Sequence, residues 1–243
     1  MKYAIFGDIH GNLDALQTCV EHMREEGVEA YVCLGDIIGY GAQPSECIEV
    51  VRGLTDISIA GNHEYAVVGK MSLEFFNAYA REAVEWTQNQ LSEEETEFLR
   101  NLPLVERMGS FTVVHSTLHA PEAFGYIETL YSANMSLSLL DDQVCFVGHS
   151  HIPISFVLDQ DEQTTTYSMD EEIVLSPHHK ALINVGSVGQ PRDENPKAAY
   201  ATYDPEEGLV NIHRLDYDVE SAAQKIRDAG LPDVLSSRLL IGR

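Results

Sequence analysis

The chain opens with a short apolar run, Tyr3–Phe6, that stops at Gly7-Asp8 and gives way to a helical rhythm. Leu13, Leu16, Val20 and Met23 recur at the three- and four-residue spacing of one helix face. Leu13–Glu26 therefore reads as a helix, with Asn12 as N-cap and Gly27 as stop. The alternation continues with a strand at Tyr31–Leu34, a short helix at Pro44–Arg52, a strand at Ile57–Ala60 and a longer helical stretch at Leu73–Leu91. Ser92–Glu95 ("SEEE") is a capping box that opens another helix. From Phe111 the pattern is mostly strand: Phe111–His115, Val144–Val147, Ile152–Leu158, Thr164–Ser168, Ile173–Leu175, Ala181–Val185, Ala198–Tyr203 and Leu209–Leu215. A last helix is expected over Val219–Ala229, between Asp218 as cap and Gly230 as terminator. No repeat, low-complexity tract or Pro/Gly-rich linker interrupts this order, so residues 1–243 read as one layered α/β domain.

Five of these strands run directly into polar residues. The first leads to Asp8-Ile9-His10, and in extended backbone residues i and i+2 share a side, so Asp8 and His10 should face one point. The second leads to Asp36, the third to Asn62-His63-Glu64, the Phe111 strand to His115, and Val144–Val147 to His149-Ser150-His151. One strand-end Asp or one His is ordinarily a turn former or a hydrogen-bonded polar residue. Five successive strand ends carrying metal-competent groups point instead to one crevice, because ligands of open α/β sheets collect beyond the carboxyl ends of the strands. Asp8, His10, Asp36, Asn62, His115, His149 and His151 are too many donors for one ion with open positions. They suit two ions sharing a carboxylate, and nitrogen and oxygen donors without thiolate favour Mn²⁺, Fe or Zn²⁺.

Composition removes several function classes. Fifteen basic residues against 39 acidic ones leave a net charge of −24, which argues against a nucleic-acid surface and against nuclease action. No apolar run approaches the roughly 20 residues of a membrane span. Cys19, Cys33, Cys47 and Cys145 form no CxxC pair, and Cys33 and Cys145 lie in apolar runs, so free buried thiols and a reducing cytoplasm are expected. The β-rich stretch Ile152–Ser176 offers an edge that a second copy could pair with, giving a homo-oligomer.

These residues resemble the ordered signature of the calcineurin-like metallophosphoesterase superfamily: D-x-H, G-D-x-x-G, G-N-H-[DE], a later strand-end His, and G-H-x-H. Here the motifs are "GDIHGN" (Gly7–Asn12), "GDIIG" (Gly35–Gly39), "GNHE" (Gly61–Glu64), "VVHS" (Val113–Ser116) and "GHSH" (Gly148–His151). The downstream "NVGSVGQPRD" (Asn184–Asp193) resembles the segment that closes the sheet in small bacterial and archaeal members. The resemblance implies a four-layer αββα sandwich of two mixed sheets with a dinuclear site at one end. It further implies that Asp8, His10 and His151 hold metal 1, that Asn62, His115 and His149 hold metal 2, and that Asp36 bridges. Manganese is the first expectation, with iron, zinc, nickel or cobalt as alternatives. The implied activity is hydrolysis of a small phosphodiester, phosphomonoester or nucleotide by a bridging hydroxide, with His63 facing substrate as general acid.

The sequence departs from the protein Ser/Thr phosphatases of this superfamily, whose second motif continues G-D-x-x-D-R-G. Gly39 and Tyr40 stand at the Asp and Arg positions, which weakens a phosphoprotein phosphatase reading. Arg192 is the best remaining cation for a substrate phosphate, with a structural ion pair to Asp193 or another acid as the equal alternative. Glu64 reads as an exposed turn residue ahead of a role in orienting a ligand, and His119, His178 and His179 as surface residues. A catalytically silent metal-binding scaffold of the same fold is the rival function, although no ligand and no acid histidine has been lost.

Overall fold

The computed structural model describes residues 1–243, the side chain of Phe75 excepted. In chain order the elements are β1 (Tyr3–Phe6), α1 (Leu13–Glu25), β2 (Ala30–Cys33), α2 (Pro44–Leu54), α3 (Asn62–Val67), α4 (Ala78–Gln88), α5 (Glu93–Arg100), β3 (Val105–Arg107), β4 (Phe111–Val114) and α6 (Leu130–Leu137). They continue with β5 (Val144–Val147), β6 (Ile154–Asp159), β7 (Thr164–Ser168), β8 (Glu172–Val174), β9 (His179–Asn184), β10 (Ala198–Asp204), β11 (Leu209–Leu215), α7 (Val219–Asp228) and α8 (Asp233–Leu239). The cap residues behave as their chemistry dictates: Asn12 accepts the Ala15 N–H, Asp218 the Ser221 N–H, and Ser92 and Glu95 form the reciprocal box.

Two mixed sheets lie face to face, one ordered β2-β1-β10-β11-β8 and the other β3-β4-β5-β9-β6-β7. β1 and β2 are parallel, as are β4, β5 and β9, so their carboxyl ends point the same way within each sheet. The period of two along β1 assigns its residues to layers. Ile5 is buried between the sheets with Val32, Phe111, Val113, Phe146, Ile183 and Tyr203, whereas Ala4 and Phe6 face α1 and α2 with Leu16, Val20 and Ile48. Beyond the other sheet, Ala133 and Leu137 of α6 pack on Val114, Cys145 and Leu182. The result is the four-layer αββα sandwich. All four cysteines are free and buried, and no described helix is long and apolar enough to cross a membrane.

Several elements differ from expectation. Ile57–Ala60 is not a strand: it meets β2 through a single parallel bridge at Ser58, and Ala60 N–H turns away to the Pro103 carbonyl. The Leu73–Leu91 helical stretch is broken at Asn77, which caps α4. Helices α3, α6 and α8 and strand β3 are additional to the expected elements, and α8 rather than α7 is the last helix. The Asn184–Asp193 segment crosses from one sheet to the other beneath the strand ends. There Val188 and Gly189 donate to the Gly7 and Asp8 carbonyls, and Ser187 Oγ donates to Asp8 O at 2.7 Å.

Glu64 is the clearest correction. It is fully buried, not exposed. From the first turn of α3 its carboxylate accepts the N–H groups of Gly61 (2.8 Å), Asp36 (2.7 Å) and Ile37 (2.8 Å), tying the loop after β2 to the helix N-terminus. Burial, and then the neighbouring Asp36 charge, push its carboxyl up to about 7, while the N–H donors pull it back. Glu64→Gln turns an amide NH₂ toward N–H donors and should cost about 1–3 kcal/mol in urea unfolding. A change within about 0.5 kcal/mol, as for a surface residue, would contradict this role.

Candidate metal centre

The chain turns inward at the strand ends by left-handed backbone, not by the extended i, i+2 geometry the sequence suggests. Asp8, His10, Asp36, His149 and His151 all have positive φ, between 49° and 69°. β1 ends at Phe6 and β5 at Val147, so both D-x-H and H-x-H pairs lie beyond their strands. The turns are laced together, with Ile9 and His10 N–H donating to Asp36 O and Gly11 N–H to Ile37 O. Ile9 points into the core between them.

Each aspartate is held by one oxygen and leaves the other for the site. Asp8 Oδ2 accepts the His149 N–H at 2.9 Å, and Asp36 Oδ1 accepts the His63 N–H at 2.9 Å. The free Asp8 Oδ1 lies 3.3 Å from His151 Nε2 and 3.9 Å from His10 Nε2. The free Asp36 Oδ2 lies 3.4 Å from His115 Nε2 and 3.7 Å from His10 Nε2. Three imidazoles are oriented through Nδ1, which sits on the carbonyl oxygen of Ile38 for His10 (3.0 Å), Leu34 for His115 (2.8 Å) and Gln190 for His151 (2.6 Å). A carbonyl only accepts, so these Nδ1 atoms each carry a proton and each Nε2 is turned inward, where it can serve as a ligand once deprotonated.

Two groups of donors result. Asp8, His10, Asp36 and His151 form one, Asp36, His115 and His149 the other, and within each the ligand atoms lie within 4.8 Å of one another. Asp36 belongs to both. Asn62 heads α3, lines the same cleft as His149, and has a buried Oδ1 with no hydrogen-bond partner. Asp8 Oδ1, His115 Nε2 and His149 Nε2 are likewise buried and unpartnered. Burying such atoms unpaired costs several kcal/mol in sum, and a cation would satisfy them together. Nitrogen and oxygen donors about 3 Å apart are what one ion with roughly 2.0–2.2 Å bonds requires, so the residues fit divalent metal.

Without metal, protons must balance the charge. Burial opposes ionisation of Asp36, yet His115 and His63 hold its carboxyl well below the usual range. Burial likewise opposes protonation of His115, but the Asp36 and Asp8 carboxylates push it up to about 10. Burial, ahead of the neighbouring imidazoles, holds His149 down to about 3. His115 thus carries the cationic charge that metal would displace.

His63 lies beside the cluster, its ring centroid 4.8 Å from that of His10, 4.5 Å from Tyr40 and 5.3 Å from Phe76. Burial lowers it to about 4. Its Nδ1 packs on Gly39, where a Cβ would fall 2.1 Å away and φ is +88°, so glycine is required at this position. Arg192 does not pair with Asp193, whose carboxylate is taken by Arg214. Instead Arg192 lies over the Tyr40 ring at 5.7 Å and bonds Gln190 Oε1 at 2.9 Å, with its Nε buried and unpartnered. A cleft of about 510 Å³ opens from Asn62 and His149 between Tyr40, Phe76, Phe124 and Tyr126. Tyr126 stacks on His149 at 4.2 Å, a contact with no signature in sequence spacing. His119 and His178 are exposed and His179 is half-buried, none of them in these groups.

Comparison with known proteins gives the family and the fold. A family model described as "Calcineurin-like phosphoesterase superfamily domain" matches residues 1–208. The uncharacterized protein MJ0912 of Methanocaldococcus jannaschii is 39% identical over 249 residues, covering 99% of this chain and 98% of that protein. A metallophosphoesterase from Sphaerobacter thermophilus is 37% identical and superposes with a TM-score of 0.88 over 100% of this chain and 99% of its own. The hypothetical protein PH1004 from Pyrococcus horikoshii OT3, 21% identical, shares the fold with a TM-score of 0.78, over 100% of this chain and 98% of its own. With the family model spanning most of the chain and the strand-end donors gathered as its motifs require, this protein belongs to the calcineurin-like phosphoesterase superfamily of metal-dependent phosphoesterases.

Proposed function

We propose that the chain hydrolyses a small phosphomonoester or phosphodiester, a nucleotide among them, at a dinuclear centre. In this reading Asp8, His10 and His151 hold one divalent ion and Asn62, His115 and His149 the other, with Asp36 shared and manganese the first choice. The observation that carries it is the membership of Asp36 in both donor groups, together with the buried ligand atoms that lack partners. When bound, the ions supply Lewis-acid charge to phosphoryl oxygens and activate water as nucleophile.

The chain's own residues divide the remaining work. Gly39 takes up the Nδ1 side of His63, which leaves Nε2 to meet substrate and pass a proton to the departing oxygen. Arg192, whose guanidinium bonds Gln190 and lies over Tyr40 rather than meeting Asp193, offers charge to a phosphate at the rim. The aromatic walls formed by Tyr40, Phe76, Phe124 and Tyr126 suit an apolar or aromatic organic group. The −24 charge disfavours extended polyanions.

With Mn²⁺ the protein should hydrolyse bis-p-nitrophenyl or p-nitrophenyl phosphate and lose activity on chelation. Asp36→Asn should lose both metal and turnover. His63→Ala should keep its metal and lose about 10²–10⁴-fold in kcat on an alkyl ester. The loss should be smaller on p-nitrophenyl esters, whose leaving group needs little protonation. Activity indifferent to both substitutions and to chelation would sink the reading, and tightly held metal without turnover on a broad phosphoester panel would favour the silent scaffold.

Tyr126→Ala should raise KM for aromatic esters while leaving kcat within a fewfold. An unchanged KM would remove the aromatic wall from substrate binding.

A further inference from the structure

A second group of metal-competent side chains lies away from the strand-end cluster, on the outer face of the five-stranded sheet. His22 in the last turn of α1 and Glu26 at its C-cap are four residues apart and share one helix face. His213 comes from β11, directly across from Tyr200 of β10. One ligand atom from each of His22, Glu26 and His213 lies within 4.8 Å of the other two.

The two imidazoles are held as ligands are commonly held, each tied back through one nitrogen. His22 Nδ1 is 2.7 Å from the hydroxyl of buried Tyr200, and His213 Nε2 is 2.9 Å from Thr202 Oγ1. The Tyr200 ring stacks on His213 with centroids 4.7 Å apart and planes 12° apart, which fixes its plane. His22 Nε2 and His213 Nδ1 are then the unbonded nitrogens among the described residues, and the ring centroids stand 5.2 Å apart. Glu26 is not free: its Oε2 accepts from Lys2 Nζ at 2.8 Å. An ammonium already on this carboxylate opposes a second cation there by like-charge repulsion, so the two compete.

We propose that His22, Glu26 and His213 form a half-buried Zn²⁺ site that pins the C-terminal end of α1 to β11. Two imidazoles and one carboxylate select a borderline ion over Mg²⁺ or Ca²⁺, and three protein ligands leave a position to water. The site is independent of the strand-end centre, shares no residue with it, and stands whether or not the chain is a phosphoesterase.

The test is zinc content after chelator stripping and titration of the full chain with Zn²⁺, followed by anomalous scattering at the zinc edge. Wild type should bind one equivalent more than His22→Ala or His213→Ala, with the strand-end zinc unchanged as the control for folding. Thr202→Val, nearly isosteric, should weaken the extra equivalent by about tenfold or more by releasing His213 Nε2. Lys2→Gln should tighten it, which a purely hydrogen-bonded cluster would not explain. The anomalous map should show a peak between α1 and β11, and this map decides the matter if a histidine variant fails to fold. Equal zinc in wild type and both histidine variants, or no peak there at saturating Zn²⁺, would overturn the proposal.

Discussion

Left-handed backbone at the carboxyl ends of β1, β2 and β5 is the constraint on which the site depends. Five of the seven candidate metal ligands adopt it, and for residues with a Cβ each such conformation costs on the order of 1–3 kcal/mol. The strain is sustained because each turn is bonded to another. The Asp8 and Asp36 carboxylates accept N–H groups from the turns that present His149 and His63, and Glu64 collects the N–H groups of Asp36 and Ile37. Packing of Ile5, Phe111, Phe146 and Tyr203 between the sheets anchors the strands from which those turns spring. The fold thereby holds donors together that would otherwise repel or remain unpaired.

That Asp8, His10, Asp36, His115, His149 and His151 would gather in one place was legible in the sequence because chemistry repeats at strand ends, whereas the geometry was not. The i, i+2 spacing of Asp8 and His10 suggested an extended backbone, and only tertiary lacing reveals that both residues turn left-handed after Phe6. The Ile57–Ala60 run has strand composition, but Ala60 bonds to Pro103 rather than continuing along β2, and only a bridge survives. Helix α6 carries Ser132, Asn134 and Ser136 and exposes Tyr131 and Met135, which blurs its apolar face. Long, strongly patterned elements such as α1, β10 and β11 lie close to their expected bounds.

Glu64 and Arg192 show where local reading is weakest. In isolation a Glu after Gly-Asn-His looks like a turn residue, yet its carboxylate is the buried hub of two loops 28 residues apart. Arg192 and Asp193 are adjacent in sequence, which suggested an ion pair, but neighbouring side chains diverge and Arg214 on β11 reaches Asp193 instead. Gly39 joins these effects: the carboxylate found at that place in the Ser/Thr phosphatases is absent, and its volume is taken by the His63 ring.

The proposed phosphoesterase chemistry rests on Asp36 being shared between two ions, and locating the ions tests that proposal most directly. Crystals grown with Mn²⁺ and measured at the manganese edge should show two separate anomalous peaks flanking Asp36, one beside Asp8, His10 and His151 and one beside His115 and His149. A single peak, or manganese located away from Asp36, would contradict a shared carboxylate.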